Sequence, residues 1–234
     1  MFAVIGDVHA CLNTLKALHE KIKETYGDIS IYCTGDLVDR GNFPSDTIIY
    51  VMENNILPVL GNHDRMFYCY YKIPKSYVAG IWIPNSASKT IFDYKRKPYL
   101  LEPHLDFVST LPSYYFIGDF FLSHAGIAKK FEVLLDEDGT LNIERLDQYI
   151  IDQNDTEPGI LWTRADLLNV GKTQIVGHTP LPDCKYDEIS NTYYIDTFAV
   201  NGDKLTAIIV DDDNKVDFLS VSTDPVDIAP PSYR

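Results

Sequence analysis

Phe2-Ala3-Val4-Ile5-Gly6-Asp7-Val8-His9 is a short apolar run closed by Gly-Asp and followed one residue later by a histidine. A run of that length, bounded by a turn signal, reads as a buried strand ending in a loop. The same sentence is written twice more. Ile29 to Thr34 ends in Gly35-Asp36, and Ile56 to Leu60 ends in Gly61-Asn62-His63. Between these runs the spacing turns helical: Leu12, Leu15, Leu18, His19 and Ile22 form one amphipathic face, and Ser45 to Asn54 forms another. Strand, loop and helix repeated in this order predict parallel strands joined by crossover helices, an α/β opening.

The later chain changes character. Tyr114 to Ile117 and Phe120 to Ser123 flank Gly118-Asp119, a two-residue hairpin signal. Gln174 to Val176, Lys185 to Glu188, Thr192 to Ile195, Leu205 to Val210 and Lys215 to Val221 read as further short strands. The whole is therefore expected to be mixed α/β and α+β: two stacked mixed sheets flanked by helices. With no repeat and no low-complexity linker, residues 1–222 read as one domain. The Tyr-, Pro- and Lys-rich segment at 68–112 reads as a cap over a site, and 223–234 as an extended, loosely held tail.

The chain has 234 residues, enough for a substantial core, and a formal net charge of −14 from 20 Lys and Arg against 34 Asp and Glu. Such an excess disfavours nucleic-acid polymers and anionic membranes as partners, because both reward a basic face. No run approaches the roughly 18 apolar residues of a membrane span, and the opening residues lack a basic leader. Cys11, Cys33, Cys69 and Cys184 form no CxxC pair, which fits reduced thiols in a cytoplasmic protein. Cys33 and Cys69 read as buried apolar residues, and Cys11, beside the first motif, as a candidate redox-sensitive thiol.

The polar residues fall at strand ends. Asp7 and His9 follow the first strand, Asp36 and Asp39 the second, Asn62 and His63 the third, His124 the strand ending at Ser123, and His178 the strand ending at Val176. Loops at strand C-termini gather on one edge of an α/β sheet, where ligands bind. Asp, His and Asn are oxygen and nitrogen donors suited to Mn, Fe or Zn. Any one of them alone reads as a turn former or a core hydrogen-bonder. Five strand ends delivering the same donor type read as a metal site. His19 and His104 lack that setting and read as structural.

The blocks Gly6-Asp7-Val8-His9, Gly35-Asp36-Leu37-Val38-Asp39-Arg40-Gly41, Gly61-Asn62-His63-Asp64, His124-Ala125-Gly126 and Gly177-His178-Thr179 together resemble the calcineurin-like metallophosphoesterases. They resemble most the phosphoprotein-phosphatase branch in its compact bacterial and phage-lambda form. The likeness runs from about Phe2 to Val210 and includes Leu161-Trp162-Thr163-Arg164 and Ile195-Asp196-Thr197. It implies a four-layer sandwich and a pair of divalent transition-metal ions, manganese first, with iron, zinc, nickel or cobalt also accepted. Asp7, His9 and Asp36 would hold one ion; Asp36, Asn62, His124 and His178 would hold the second. His63 resembles the general acid, Asp39 the carboxylate that orients it, and Arg40, Arg164 and Asn62 the binders of phosphate. The reaction implied is in-line attack on phosphorus by a hydroxide bridging the two ions, with His63 protonating the leaving oxygen.

That likeness implies a phosphoprotein or a phosphorylated small molecule as partner; the chain is expected to be a monomer. Phosphoserine and phosphothreonine are the first expected substrates. Symmetrical hydrolysis of a dinucleoside polyphosphate such as diadenosine tetraphosphate is the alternative, favoured by Asp64 and by Tyr68, Tyr70, Tyr71 and Trp82, which could stack on adenine. A non-catalytic scaffold is a third reading, opposed by retention of every ligand position. The sequence departs from the pattern at Ala10, Asp64, Ser86 and Phe198. Glycine is usual at the first, third and fourth and glutamate at the second, and all four departures are expected near the rim. The acidic runs Asp136-Glu137-Asp138 and Asp211-Asp212-Asp213 read as solvated loops.

Overall fold

In the computed structural model, which describes residues 1–153, 155–156 and 159–230, two five-stranded sheets stack face to face. In the first sheet the order is β10-β9-β1-β2-β3, with β1 (Phe2–Ile5), β2 (Ser30–Cys33), β3 (Leu57–Pro58), β9 (Lys204–Val210) and β10 (Val216–Ser222). β1, β2 and β3 run parallel, as the crossover helices α1 (Leu12–Tyr26) and α2 (Pro44–Glu53) require; β9 and β10 are antiparallel. The second sheet has the order β4-β5-β6-β8-β7, with β4 (Tyr114–Ile117), β5 (Phe120–Ser123), β6 (Thr173–Val176), β7 (Lys185–Asp187) and β8 (Thr192–Tyr194). β4 and β5 pair across the Gly118-Asp119 turn.

Alternation along the strands builds the layers, since successive side chains leave opposite faces. Phe2, Val4, Phe120, Leu122, Ile175, Ile208 and Val210 meet between the sheets. Their neighbours Ala3, Ile5, Phe121, Ala207 and Ile209 face the helical layers, where Leu15, Leu18 and Ile22 of α1 pack. The result is helix, sheet, sheet, helix.

Three expectations need correction. The third strand is only two residues long, because Pro58 has no N–H for a ladder; Leu60 N–H instead donates to the Pro112 carbonyl at 2.8 Å. The segment 223–230 is not loosely held. The buried Asp227 carboxylate accepts from Asn13 N, Asn13 Nδ2, Thr14 N and Thr14 Oγ1 at 2.6–3.0 Å, and so caps α1 from more than 200 residues away. Residues 231–234 of that expected tail lie outside the described residues. Cys11 is fully buried, like Cys33 and Cys69, so nothing exposes it to oxidants.

The 68–112 segment is helical: the end of α3 (Asn62–Lys72), then α4 (Tyr77–Trp82), α5 (Ser88–Arg96) and α6 (Leu101–Ser109). Val78, Trp82, Tyr94, Leu105 and Val108 from these helices share one core cluster with the first sheet. Among the described residues no helix is long and apolar enough to cross a membrane.

Candidate metal centre and active site

All five strand-end loops converge at one edge of the two sheets. Tight backbone packing makes this possible: a Cβ on Gly61 would lie 2.2 Å from Asp36 Oδ1, and one on Gly177 would lie 1.9 Å from Asp7 Oδ1. The loops are also bent hard. His9, Ala10, Asp36, Asp39, Arg40 and His178 all have positive φ, a cost usually tolerated where function needs a particular side-chain direction. Ala10, Ser86 and Phe198, three of the positions where the likeness leads one to expect glycine, have φ of 57°, 74° and 62°. At these three positions a residue with a side chain holds the left-handed conformation that favours glycine.

Asp36 is central. Its Oδ2 faces His9 Nε2 at 3.4 Å, and its Oδ1 faces His124 Nε2 at 3.6 Å and accepts from His63 N–H at 2.9 Å. Burial opposes its charge, but His124, His63, His9 and Arg40 around it hold the carboxyl well below the ordinary range. Asp7 is the reverse case. Burial, then the charges of Asp196 and Asp36, push it well above that range, although Thr34 Oγ1 and His178 N–H donate to its oxygens at 2.6 and 2.9 Å. Asp196, also buried, is pushed up to about 6, mainly by burial. Three carboxylates crowded in this way call for a cation.

The histidine tautomers point the same way. His124 Nδ1–H donates to the Thr34 carbonyl at 2.7 Å, and His178 Nε2–H donates to the Trp162 carbonyl at 3.1 Å. Each ring therefore presents a lone pair on its other nitrogen. Those lone pairs, His124 Nε2 and His178 Nδ1, lie 3.1 Å apart, and Asn62 Oδ1 lies 2.9 and 3.0 Å from them. With Asn62 turned oxygen-inward, the atoms facing one another there are acceptors. Donors about 2.1 Å from a shared ion fall about 3 Å apart when adjacent, so the spacing fits a divalent metal. Burial lowers the affinity of His9, His124 and His178 for a proton, the direction that favours the neutral form a metal ligand takes. His9 Nδ1–H donates to the Val38 carbonyl at 3.1 Å, which sends Nε2 toward Asp36. His9, Asp36 and His63 form one group with the spacing of a metal site, and Asp7, Asp36 and His124 form another.

The residues read as acid and phosphate binders surround this cluster. His63 Nδ1–H donates to Asp39 Oδ2 at 2.7 Å. Arg40 spans two rings, donating from NH1 to His9 Nε2 and from NH2 to His63 Nε2, both at 2.8 Å. Arg164 stands apart at the rim, exposed, with NH2 donating to the His178 carbonyl at 3.4 Å.

Thr90 was not singled out by its sequence, and Trp82 and Asp64 serve otherwise than their sequence suggested. Trp82 Nε1–H donates to Asp39 Oδ2 at 2.7 Å, Thr90 Oγ1 donates to Oδ1 at 2.6 Å, and Asp39 N–H donates back to Thr90 at 3.1 Å. Trp82 is fully buried, packed on Phe67, Tyr70 and Tyr71. It is a buttress for Asp39, and no face of it is open to adenine. Asp64 is likewise not at the rim. It is fully buried, accepting from Leu37 N–H at 2.9 Å and Gly61 N–H at 3.2 Å, and so ties the third loop to the second. Ala10 is equally buried.

The model of the calcineurin-like phosphoesterases matches residues 1–217. The chain belongs to that family. Within it, 63 residues, 26% of the chain, are 44% identical to the symmetrical bis(5'-nucleosyl)-tetraphosphatase of Escherichia coli. The match spans 22% of that relative's length. Among solved structures, the cold-active protein-tyrosine phosphatase of a psychrophilic Shewanella has a TM-score of 0.62 at 15% identity, over 95% of this chain and 80% of that one. A protein serine/threonine phosphatase of Saccharomyces cerevisiae has a TM-score of 0.54 at 13% identity, over 94% and 78%. At those identities the likeness is one of fold. The family's two-sheet sandwich is the one seen here.

Proposed function

We propose that the protein is a binuclear-metal phosphomonoesterase whose substrates are phosphoserine and phosphothreonine in proteins. Asp7, His9 and Asp36 would hold one ion, and Asp36, Asn62, His124 and His178 the other. When bound, the ions supply an activated water and charge neutralisation at phosphorus. Manganese fits this nitrogen and oxygen donor set, as do iron, zinc, nickel and cobalt.

The chain's own residues do the rest. Arg40 and Arg164 offer planar forks that match phosphate oxygens, with Asn62 beside them, and stabilise the charge that builds up on the equatorial oxygens. His63, held through Nδ1–H by Asp39, turns Nε2 toward the site, where it accepts from Arg40; with Arg40 turned onto the phosphate and Nε2 protonated, it would deliver that proton to the departing oxygen. Asp39 is itself held by Trp82 and Thr90, so the imidazole is aimed before substrate arrives.

The observation that carries this reading is the buried, doubly anchored Asp39–His63 pair. A serine or threonine alkoxide is a poor leaving group and depends on a general acid. A nucleotide phosphate leaves readily and needs one far less. A second reading, symmetrical hydrolysis of dinucleoside polyphosphates, is favoured by the 44% identical stretch shared with the bacterial tetraphosphatase. The burial of Trp82 removes one of the stacking residues that would have served it.

The test is kcat/KM of the manganese-loaded protein on a phosphothreonine peptide and on diadenosine tetraphosphate. Preference for the peptide supports the first reading. Preference for the dinucleotide supports the second, and turnover of neither would leave a scaffold.

A further inference from the structure

Beside the candidate metal ligands opens a concavity of about 330 Å³, lined in part by Ala125, Thr163, Arg164 and Thr179. Ala125 follows His124 and Thr179 follows His178, so this cavity begins where the second half of the metal cluster ends. Lys129 and Lys185 line it as well.

Its position beside His124 and His178, together with three cations on its lining, is what singles it out. In a chain with a net charge of −14, six of the described basic side chains, Arg65, Lys72, Lys97, Arg145, Lys204 and Lys215, are ion-paired with carboxylates. Among the described residues Lys129, Lys185 and Arg164 enter no ion pair within 4 Å. Two carboxylates, Asp166 and Asp187, also border the cavity. The Asp187 carboxylate is engaged by Ser190 Oγ and N–H, at 2.5 and 3.1 Å. Three cations against two carboxylates leave the lining with a formal charge of +1 in a chain of −14. A lysine on an edge strand such as β7 also blunts strand pairing. That explanation serves Lys185 alone and leaves Lys129, which starts a 3₁₀ turn (Lys129–Leu134), unexplained.

We infer that this cavity is a subsite for an anionic group flanking the reacting phosphate, an acidic residue beside the phosphorylated one, with Lys129 and Lys185 as its specificity determinants. The inference rests on the phosphoprotein reading above. Arg164 stands between the two positions and belongs to both. An acidic side chain placed there meets cations at a partly shielded site, and a basic one meets like charge. The contribution is one of selection more than of overall rate.

The experiment compares kcat/KM on two phosphothreonine peptides that differ only in flanking Glu or Lys residues, with p-nitrophenyl phosphate as a small ester that does not reach the cavity. Wild-type protein should favour the acidic peptide by about 10-fold at low salt, falling toward parity as ionic strength rises. In the double variant Lys129→Gln, Lys185→Gln the preference should fall below about 2-fold, through KM, with p-nitrophenyl phosphate turnover unchanged. Equal turnover of the two peptides by wild type, or a preference unaltered in the variant, overturns the inference and leaves the phosphoprotein reading intact. Hydrolysis of p-nitrophenyl phosphate with neither peptide cleaved overturns both. If the lysine variant loses diadenosine tetraphosphate turnover while its peptide preference stands, the cavity serves a nucleotide instead.

Discussion

The two halves of the metal cluster share Asp36 and differ in everything around it. On the His9 side, lone pairs meet a donor: Arg40 reaches both His9 Nε2 and His63 Nε2. On the His124 side, Asn62 Oδ1, His124 Nε2 and His178 Nδ1 face one another at 2.9–3.1 Å. The difference teaches that the two halves would fill differently: the His124 half already faces acceptors to one another, whereas an ion at His9 requires Arg40 to turn away from its Nε2. Away from the site, His104 is a satisfied core residue, paired with the Tyr94 hydroxyl at 2.7 Å. With Asn62 oxygen-inward the His124 side calls for a positive charge, whereas the His9 side presents the Arg40 guanidinium where substrate charge is to be met.

The comparison breaks first at Asp36. Asp36→Asn removes the one carboxylate common to both halves, and activity on any phosphoester should drop by on the order of 10⁴-fold. A fall of less than 10-fold at saturating manganese would mean that the halves do not work as one centre. Next comes His63. His63→Ala should lower kcat on an alkyl phosphomonoester by about 10²–10³-fold, and on p-nitrophenyl phosphate, with its better leaving group, by under about 10-fold. Equal losses on both would remove the acid role. Trp82→Phe leaves Asp39 with one donor fewer and should cost about 10-fold in kcat with KM little changed. Unchanged kcat would make Trp82 a packing residue only.

The smallest effect sharpens the contrast with histidines outside the site. Burial lowers His104 from its ordinary 6.5 to about 4. As pH falls below 6.5 the unfolded chain takes up a proton that the folded one refuses. The stability is therefore full above that pH and lost progressively down to about pH 4. Denaturant midpoints measured from pH 7 to 4 should fall less steeply in His104→Gln than in wild type. An identical slope would rule out this histidine as a source of acid lability.

Much of this was legible in the sequence because the informative residues are local. Gly-Asp and Gly-Asn after short apolar runs mark strand ends, and strand ends of parallel sheets share an edge, so Asp7, His9, Asp36, Asn62, His124 and His178 could be gathered before any contact was known. What was not legible depends on contacts distant in sequence and chemically ordinary. Trp82 and Thr90 reach Asp39 from helices 43 and 51 residues away, and a tryptophan in an aromatic-rich segment carries no mark of that use. Asp227, caught by Asn13 and Thr14, sits in a proline-flanked tail that composition alone reads as loose. Asp64 looked like a rim substitution because a motif shows order along the chain and says nothing of which side chains face inward.

The central claim is that the two unlike halves form one binuclear centre. Metal content after reconstitution with manganese and removal of excess tests it most directly. The account predicts two ions per chain in wild type, about one in His178→Ala, and fewer than one in Asp36→Asn. One ion or none in wild type, or two in all three proteins, would contradict it.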